Sequence, residues 1–313
     1  MGKIVFVSQL PTTEQQQWLE LLQQTLSSEN TYFPHQLTTG QYAEVDIAIV
    51  ANPDPKLLSR FPNLVWIHSL WAGIENLVKT GVPEGVQLVR LIDPELAQTM
   101  AESVLTWTLY LQRNIPTYQR QQQQREWRQL TNVSSKQLRV SVLGAGELGL
   151  AALSLLGQLN YTLSCWTRSP KTIDKVTNFT GHEGLTAMLT KTDILISLLP
   201  LTPETKHLLN NETLSLLPQG ASIINFSRGG IIDQNALLKL LDNQHLRHAV
   251  LDVFDIEPLP TQSALWHHPK TTVLPHISAP TNHCTAAEIV ADNIRHYRKN
   301  GILPPTVDVN KGY

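Results

Sequence analysis

The chain of 313 residues contains only two cysteines, Cys165 and Cys284. They lie far apart, with neither a CxxC pair nor Cys/His ligand spacing, so neither a disulfide framework nor a zinc site is indicated. Charge of one sign is also missing. Lys and Arg number 24 against 26 Asp and Glu, and no block of like charge suggests a nucleic-acid tail or a membrane-surface patch. Long apolar runs are absent: the longest, ILISLLPL at 194–201, is far too short to span a bilayer. The N-terminal MGKIVFVSQLP lacks the apolar stretch and small-residue cleavage site of a secretory signal. Gly2 is followed by Phe6 where myristoylation needs Ser or Thr. The expectation is a soluble protein of the reducing cytoplasm, acting on small molecules, with no nucleic acid, membrane or metal partner. No internal repeat is present, and the Gln-rich stretch 119–129 is expected to be a solvated helix face.

Short β-rich runs alternate with amphipathic segments: KIVFVS, TEQQQWLELLQQTL, VDIAIVA, LVWIHSL and VQLVRL. Such alternation marks parallel α/β sheets, whose strands are buried on both faces. From Asp93 the pattern changes to PELAQTMAESVLTWTLYLQRNIPTYQRQQQQREW, with Asp93 placed as N-cap, Pro94 at the first helical position and no internal breaker before Pro116. One long helix is predicted there. A second strand series follows: RVSVLG, TLSCW, DILISLL, ASIINFS, HAVLDVF and TTVLPH. TAAEIVADNIRHYRKNG, at 285–301, reads as an amphipathic helix ended by Gly301. The length exceeds a single core, and the two strand series predict an α/β protein of two Rossmann-like, doubly wound parallel-sheet domains with a cleft between them.

The segment SVLGAGELGLAAL places Gly144, Gly146 and Gly149 in GxGxxG spacing, after an alternating strand and at the start of an apolar helix. In that context the first glycine permits the tight turn, the second leaves room for a pyrophosphate, and the third lets helix and strand approach. The helix N-terminus offers N–H groups and a positive dipole end to phosphates. Sites that prefer NAD carry an acid about twenty residues on, for the ribose hydroxyls. Here Ser164–Thr172 reads SCWTRSPKT, without any acid. A guanidinium at Arg168 can fork onto a 2′-phosphate, with Lys171 as a second charge and Thr167 and Ser169 as hydroxyl donors. The expectation is NADPH/NADP as cofactor, with NADH used more weakly.

Ligands in such folds bind beyond the carboxyl ends of strands. NFSRGG puts Arg228 after one strand, LDVFDIEP puts Glu257 past the next, and TTVLPHISAP puts His276 at the end of the last. The set suits reduction of a carbonyl beside a carboxylate. Arg228 would hold the acid and polarise the carbonyl, His276 would give the proton, and Glu257 would orient the imidazole. The remaining histidines, including His267 and His268, read as structural or surface residues.

The order GAGELG, LLPLTPET, NFSRGG, LDVFDIEP, LWHHP and LPHISA resembles the D-isomer-specific 2-hydroxyacid dehydrogenase family, and within it a bacterial group of glyoxylate and hydroxypyruvate reductases. The likeness extends to CWTRSPK, to REW and to the terminal VDVNKGY. It implies a substrate domain of residues 1–96 plus 280–313 around a dinucleotide-binding domain of residues 97–279, with hinges near 95–102 and 277–282. It gives Arg228, Glu257 and His276 the arginine, acid and histidine places of the catalytic trio. SLWAGIENL is similar to the loop that cradles the substrate carboxylate, implicating Trp71, Ala72 and Gly73 beside Arg228 and His276. Thr99 matches a position near the nicotinamide ribose, Asp252 the aspartate near the carboxamide, and Leu199 and Pro200 the adenosine side. The motifs add Glu147, Leu148, Thr205, Phe226 and Ser227 to the cofactor set. A homodimer formed through the nucleotide domains is implied. Two departures stand out: Trp71 where many relatives have glycine, and Asn282 where close relatives carry arginine. The resulting reading is NADPH-dependent reduction of small 2-keto acids, glyoxylate to glycolate and hydroxypyruvate to D-glycerate. The alternatives are a reductase for a bulkier D-2-hydroxy acid and a non-catalytic, dinucleotide-sensing interaction protein.

Overall fold

Alternation in KIVFVS puts Ile4 and Phe6 on one face of β1 (Lys3–Ser8) and Val5 and Val7 on the other, all four buried. In the computed structural model, which describes residues 2–309, β1 is the second strand of a parallel sheet. Its partners are β2 (Thr31–Tyr32), β3 (Val45–Ala51), β4 (Trp66–Ser69) and β5 (Gln87–Val89), in the order β2-β1-β3-β4-β5. One face packs against Trp18, Leu19 and Leu22 of the helix Thr12–Thr25 and against Ala286, Ala287, Val290, Ala291 and Ile294 of the helix His283–Asn300. That last helix ends where Gly301 turns left-handed (φ 68°). Its Arg298 holds it down, donating to both carboxylate oxygens of Asp46 and, over 3.2 Å, to Glu29. These elements form one unit, residues 1–95 with 281–313.

The second unit, residues 96–280, is built on a seven-stranded parallel sheet. Its strands are β6 (Arg139–Leu143), β7 (Thr162–Thr167), β8 (Val176–Thr180), β9 (Ile194–Ser197), β10 (Ala221–Asn225), β11 (Leu246–Leu251) and β12 (Thr271–Val273). The order β12-β11-β10-β9-β6-β7-β8 makes the chain reverse direction across the sheet between β6 and β9. Val140 and Val142 face one apolar core and Leu143 the other. Two strands escaped the sequence reading: β2, only two residues long, and β8, whose VTNFT is half-exposed at the sheet edge.

The single long helix predicted from Asp93 is two helices, Pro94–Gln112 and Ile115–Gln124. Asp93 caps the first as expected, accepting the Glu95 N–H at 2.8 Å. Pro116 has no N–H and its ring would strike the carbonyl of Gln112 in a continuous helix. The chain breaks just ahead of it, with Asn114 left-handed at φ 58°, and Pro116 falls in the first turn of the second helix. Arg125 is left-handed too (φ 55°), so Glu126 and Trp127 of the REW motif lie beyond the helix, Trp127 being 96% exposed. Among the described residues no helix is long and apolar enough to cross a membrane. Residues 310–313, the end of the VDVNKGY segment, lie outside the described residues.

Candidate active site

The glycine loop leaves β6 at the reversal of strand order, where ligands of open α/β sheets bind. Gly144 has φ +94°, and a Cβ there would lie 2.9 Å from the carbonyl oxygen of Leu198, beyond the end of neighbouring β9. A Cβ on Gly149 would collide with the carbonyl of Gly144, so this glycine lets the helix Glu147–Gly157 press onto the strand. Gly146 differs: a Cβ would meet nothing within 4 Å, and the residue stands at the helix N-terminus with no side-chain cap. Exposed Gly146 and Glu147 and half-buried Leu148 therefore flank uncapped N–H groups that a phosphate could take. On the β9 side, Leu199 is buried and Pro200 half-buried, and Thr205 closes the turn by donating to the Pro200 carbonyl at 2.7 Å.

β7 ends at Thr167, and the exposed residues Arg168, Ser169 and Lys171 follow. Thr167 is buried and its hydroxyl donates to the Ser169 carbonyl at 2.8 Å. Lys171 extends its ammonium back to the glycine loop, donating to the Ala145 carbonyl at 2.8 Å. Opposite, the Thr202 hydroxyl and the backbone N–H of Glu204 hold the Glu204 carboxyl below the usual range, and the positive charge of Arg168 adds to the effect. The charge of Arg168 is thus felt at the turn after β9. Asn178, on the unpredicted strand β8, bonds both Thr167 and Lys171.

Arg228, Glu257 and His276 follow three adjacent strands, β10, β11 and β12. His276, left-handed at φ 55°, is joined through Nδ1 to Glu257 Oε2 at 2.7 Å, and Glu257 Oε1 accepts the Phe254 N–H at 2.9 Å. The His276 side chain is 52% exposed. Asp252 is buried and takes the N–H groups of Ile277 and Ser278, each at 2.8 Å, on its two carboxylate oxygens. Its carboxylate therefore fixes the backbone that carries His276. Arg228 donates to the Ser227 carbonyl at 2.7 Å, and Asn225 anchors the Arg228 carbonyl at 3.0 Å. Gly229 brings this loop against the next: a Cβ there would overlap the backbone of Phe254 and Asp255. Phe226 and Ser227 are buried, and the Ser227 hydroxyl bonds Ser197 and Asn225 at 2.8 and 2.7 Å. Thr99 is half-buried on the helix Pro94–Gln112.

In the first unit, the loop after β4 carries Trp71, Ala72 and Gly73. The Trp71 N–H is spent on Ser69 Oγ at 3.0 Å. Its indole lies edge-on to Trp18 with ring centroids 6.2 Å apart and donates to Asn52 at 3.2 Å. Asn282 caps the helix His283–Asn300 through the Cys284 N–H at 2.9 Å and donates to Glu95 at 2.7 Å. Among the described residues no three His, Cys, Asp or Glu side chains gather as a metal would require.

The second unit is a dinucleotide-binding α/β domain with a basic loop where NAD-selective sites place an acid. The sequence model of the D-isomer specific 2-hydroxyacid dehydrogenase NAD binding domain matches residues 105–278. The glyoxylate/hydroxypyruvate reductase A of Yersinia enterocolitica is 36% identical over 309 residues, 97% of this chain and 98% of that protein. A D-isomer specific 2-hydroxyacid dehydrogenase from Xanthobacter autotrophicus Py2, solved with NADPH and MES, superposes with a TM-score of 0.93 at 36% identity, covering 100% of this chain and 99% of that one. The NADPH-dependent glyoxylate/hydroxypyruvate reductase of Sinorhizobium meliloti, solved with NADP and sulfate, gives 0.86 at 27% identity, covering 100% of both chains. The chain belongs to the D-isomer specific 2-hydroxyacid dehydrogenase family.

Proposed function

We propose that the protein reduces small 2-keto acids with NADPH, glyoxylate to glycolate and hydroxypyruvate to D-glycerate, and uses NADH less well. The observation that carries the chemistry is the His276–Glu257 pair beside the Arg228 loop. The open side of Gly146, the uncapped helix end and the acid-free Arg168 loop fit a dinucleotide bearing a 2′-phosphate. When bound, the reduced dinucleotide supplies a hydride to the carbonyl carbon.

The chain's own residues do the rest. Glu257 occupies Nδ1 of His276, which directs Nε2 to the reactant, and Nε2 gives its proton to the carbonyl oxygen as negative charge develops there. In oxidation the same nitrogen takes the hydroxyl proton back. Arg228 holds the substrate carboxylate and polarises the carbonyl with a charge that needs no reorganisation. Asp252 keeps His276 in register through the Ile277 and Ser278 amides. On the resemblance of SLWAGIENL, the loop of Trp71, Ala72 and Gly73 is proposed to take the substrate carboxylate on backbone N–H groups, the Trp71 N–H being bonded to Ser69 Oγ. Arg168 and Lys171 select the 2′-phosphate. Thr99, Leu199, Pro200, Thr205, Phe226 and Ser227 shape the rest of the nucleotide site. Assembly as a homodimer in the cytoplasm completes the proposal, supported by the exposed apolar side chains Ile115, Tyr118, Trp127 and Val133 on the dinucleotide unit.

A spectrophotometric panel tests the proposal. Glyoxylate and hydroxypyruvate are expected to be reduced faster than pyruvate and phenylpyruvate, and faster with NADPH than with NADH. Preference for phenylpyruvate would favour a bulkier substrate, and nucleotide binding without turnover of any keto acid would favour a sensor.

A further inference from the structure

Asn178 belongs to none of the expected motifs, yet it organises the loop on which nucleotide choice depends. In the parallel pairing of β7 with β8, Asn178 is registered with Cys165, so its side chain shares a face with Thr167 two residues on. The Lys171 N–H donates to Asn178 Oδ1 at 2.8 Å, and a backbone N–H can only donate. That bond fixes the amide orientation and turns Nδ2 toward Thr167 Oγ1, 2.7 Å away. Having accepted this bond, the Thr167 hydroxyl sends its own proton to the Ser169 carbonyl at 2.8 Å. The relay therefore pins residues 167, 169 and 171, on both sides of Arg168. Lys171 then ties the braced loop to the glycine loop through Ala145.

We propose that Asn178 is the positioning residue for nucleotide selection: through Thr167 and Lys171 it holds the loop that aims Arg168 at the 2′-phosphate. The proposal rests on the NADPH reading above. It gives a role to β8, a half-exposed edge strand whose Asn178 side chain bonds this loop at Thr167 and Lys171. Asn178 makes no contact with the reacting end of the site, so its loss should weaken NADPH binding without touching hydride transfer.

The test compares steady-state kinetics with NADPH and NADH, at saturating hydroxypyruvate, for wild type, Asn178→Ala, Arg168→Ala and the double variant. Asn178→Ala is expected to raise KM for NADPH about tenfold, with kcat and the NADH constants within about twofold of wild type. In the Arg168→Ala background the same substitution should change the NADPH/NADH ratio by clearly less than it does in wild type, because the larger part of its effect passes through the arginine and only the remainder through Lys171. An unchanged ratio in Asn178→Ala, or equal losses with both nucleotides, would overturn the positioning role. If Asn178→Ala fails to fold, Asn178→Ser, too short to span both partners, is measured and judged by the same criteria. A wild type without NADPH preference, or one whose preference survives Arg168→Ala, would instead sink the underlying cofactor reading.

Discussion

His276 depends on two neighbours whose removal should have separable effects. Glu257 fixes the ring and Asp252 the backbone, and the imidazole, half-exposed, is proposed to meet the reactant. His276→Ala should lower kcat by roughly 10²–10⁴-fold with NADPH binding intact, the range of general acid catalysis. Single-turnover measurement with bound NADPH reads this directly; full activity would refute the proton donor. Gly144 makes a different kind of prediction. At φ +94°, with the Leu198 carbonyl 2.9 Å from any Cβ, Gly144→Ala is expected to cost about 1–3 kcal/mol of stability, measured by denaturant unfolding. The basic, acid-free loop at Arg168, which the structure places exposed after β7, was legible in the sequence. Asn178 was not, because its importance lies in hydrogen bonds across a strand pair rather than in any linear motif.

At the level of elements, β4 buries a histidine completely. His68 donates from Nδ1 to the Ser69 carbonyl and takes the Asn293 amide on Nε2, both at 2.9 Å, an arrangement that suits the neutral ring. Burial lowers its pKa from 6.5 to about 4. Below pH 6.5 the unfolded chain binds a proton that the native imidazole refuses, so stability is full above that pH and falls as the medium is acidified toward about 4. The loss is on the order of 3 kcal/mol. Urea unfolding at several pH values should show this slope in wild type and a shallower one in His68→Gln; equal slopes would assign the acid sensitivity elsewhere. Strands with alternating or wholly apolar runs, such as KIVFVS and ASIINFS, were readable because burial on one or both sheet faces writes itself into the pattern. The helix break at Asn114 was not, because Pro116 acts on the residues before it and the left-handed turn falls on an asparagine that carries no other mark.

For the whole molecule, the sequence motifs conveyed two sheets and the set of strand ends that bear polar residues, while the spacing alone could not say that Thr167 and the Trp71 N–H are spent inside their own loops. The exposed indole of Trp127 (96%), with Tyr118 and Val133 also exposed on the same unit, leads to a quaternary prediction. Light scattering should give twice the 35.1 kDa chain mass, and Trp127→Glu should shift the population toward the monomer. The proposed reaction is read by following NADPH oxidation with hydroxypyruvate and resolving the configuration of the product. Turnover at a higher kcat/KM than with NADH and formation of D-glycerate are expected; absence of turnover, or L-glycerate as the product, would refute the proposed reaction.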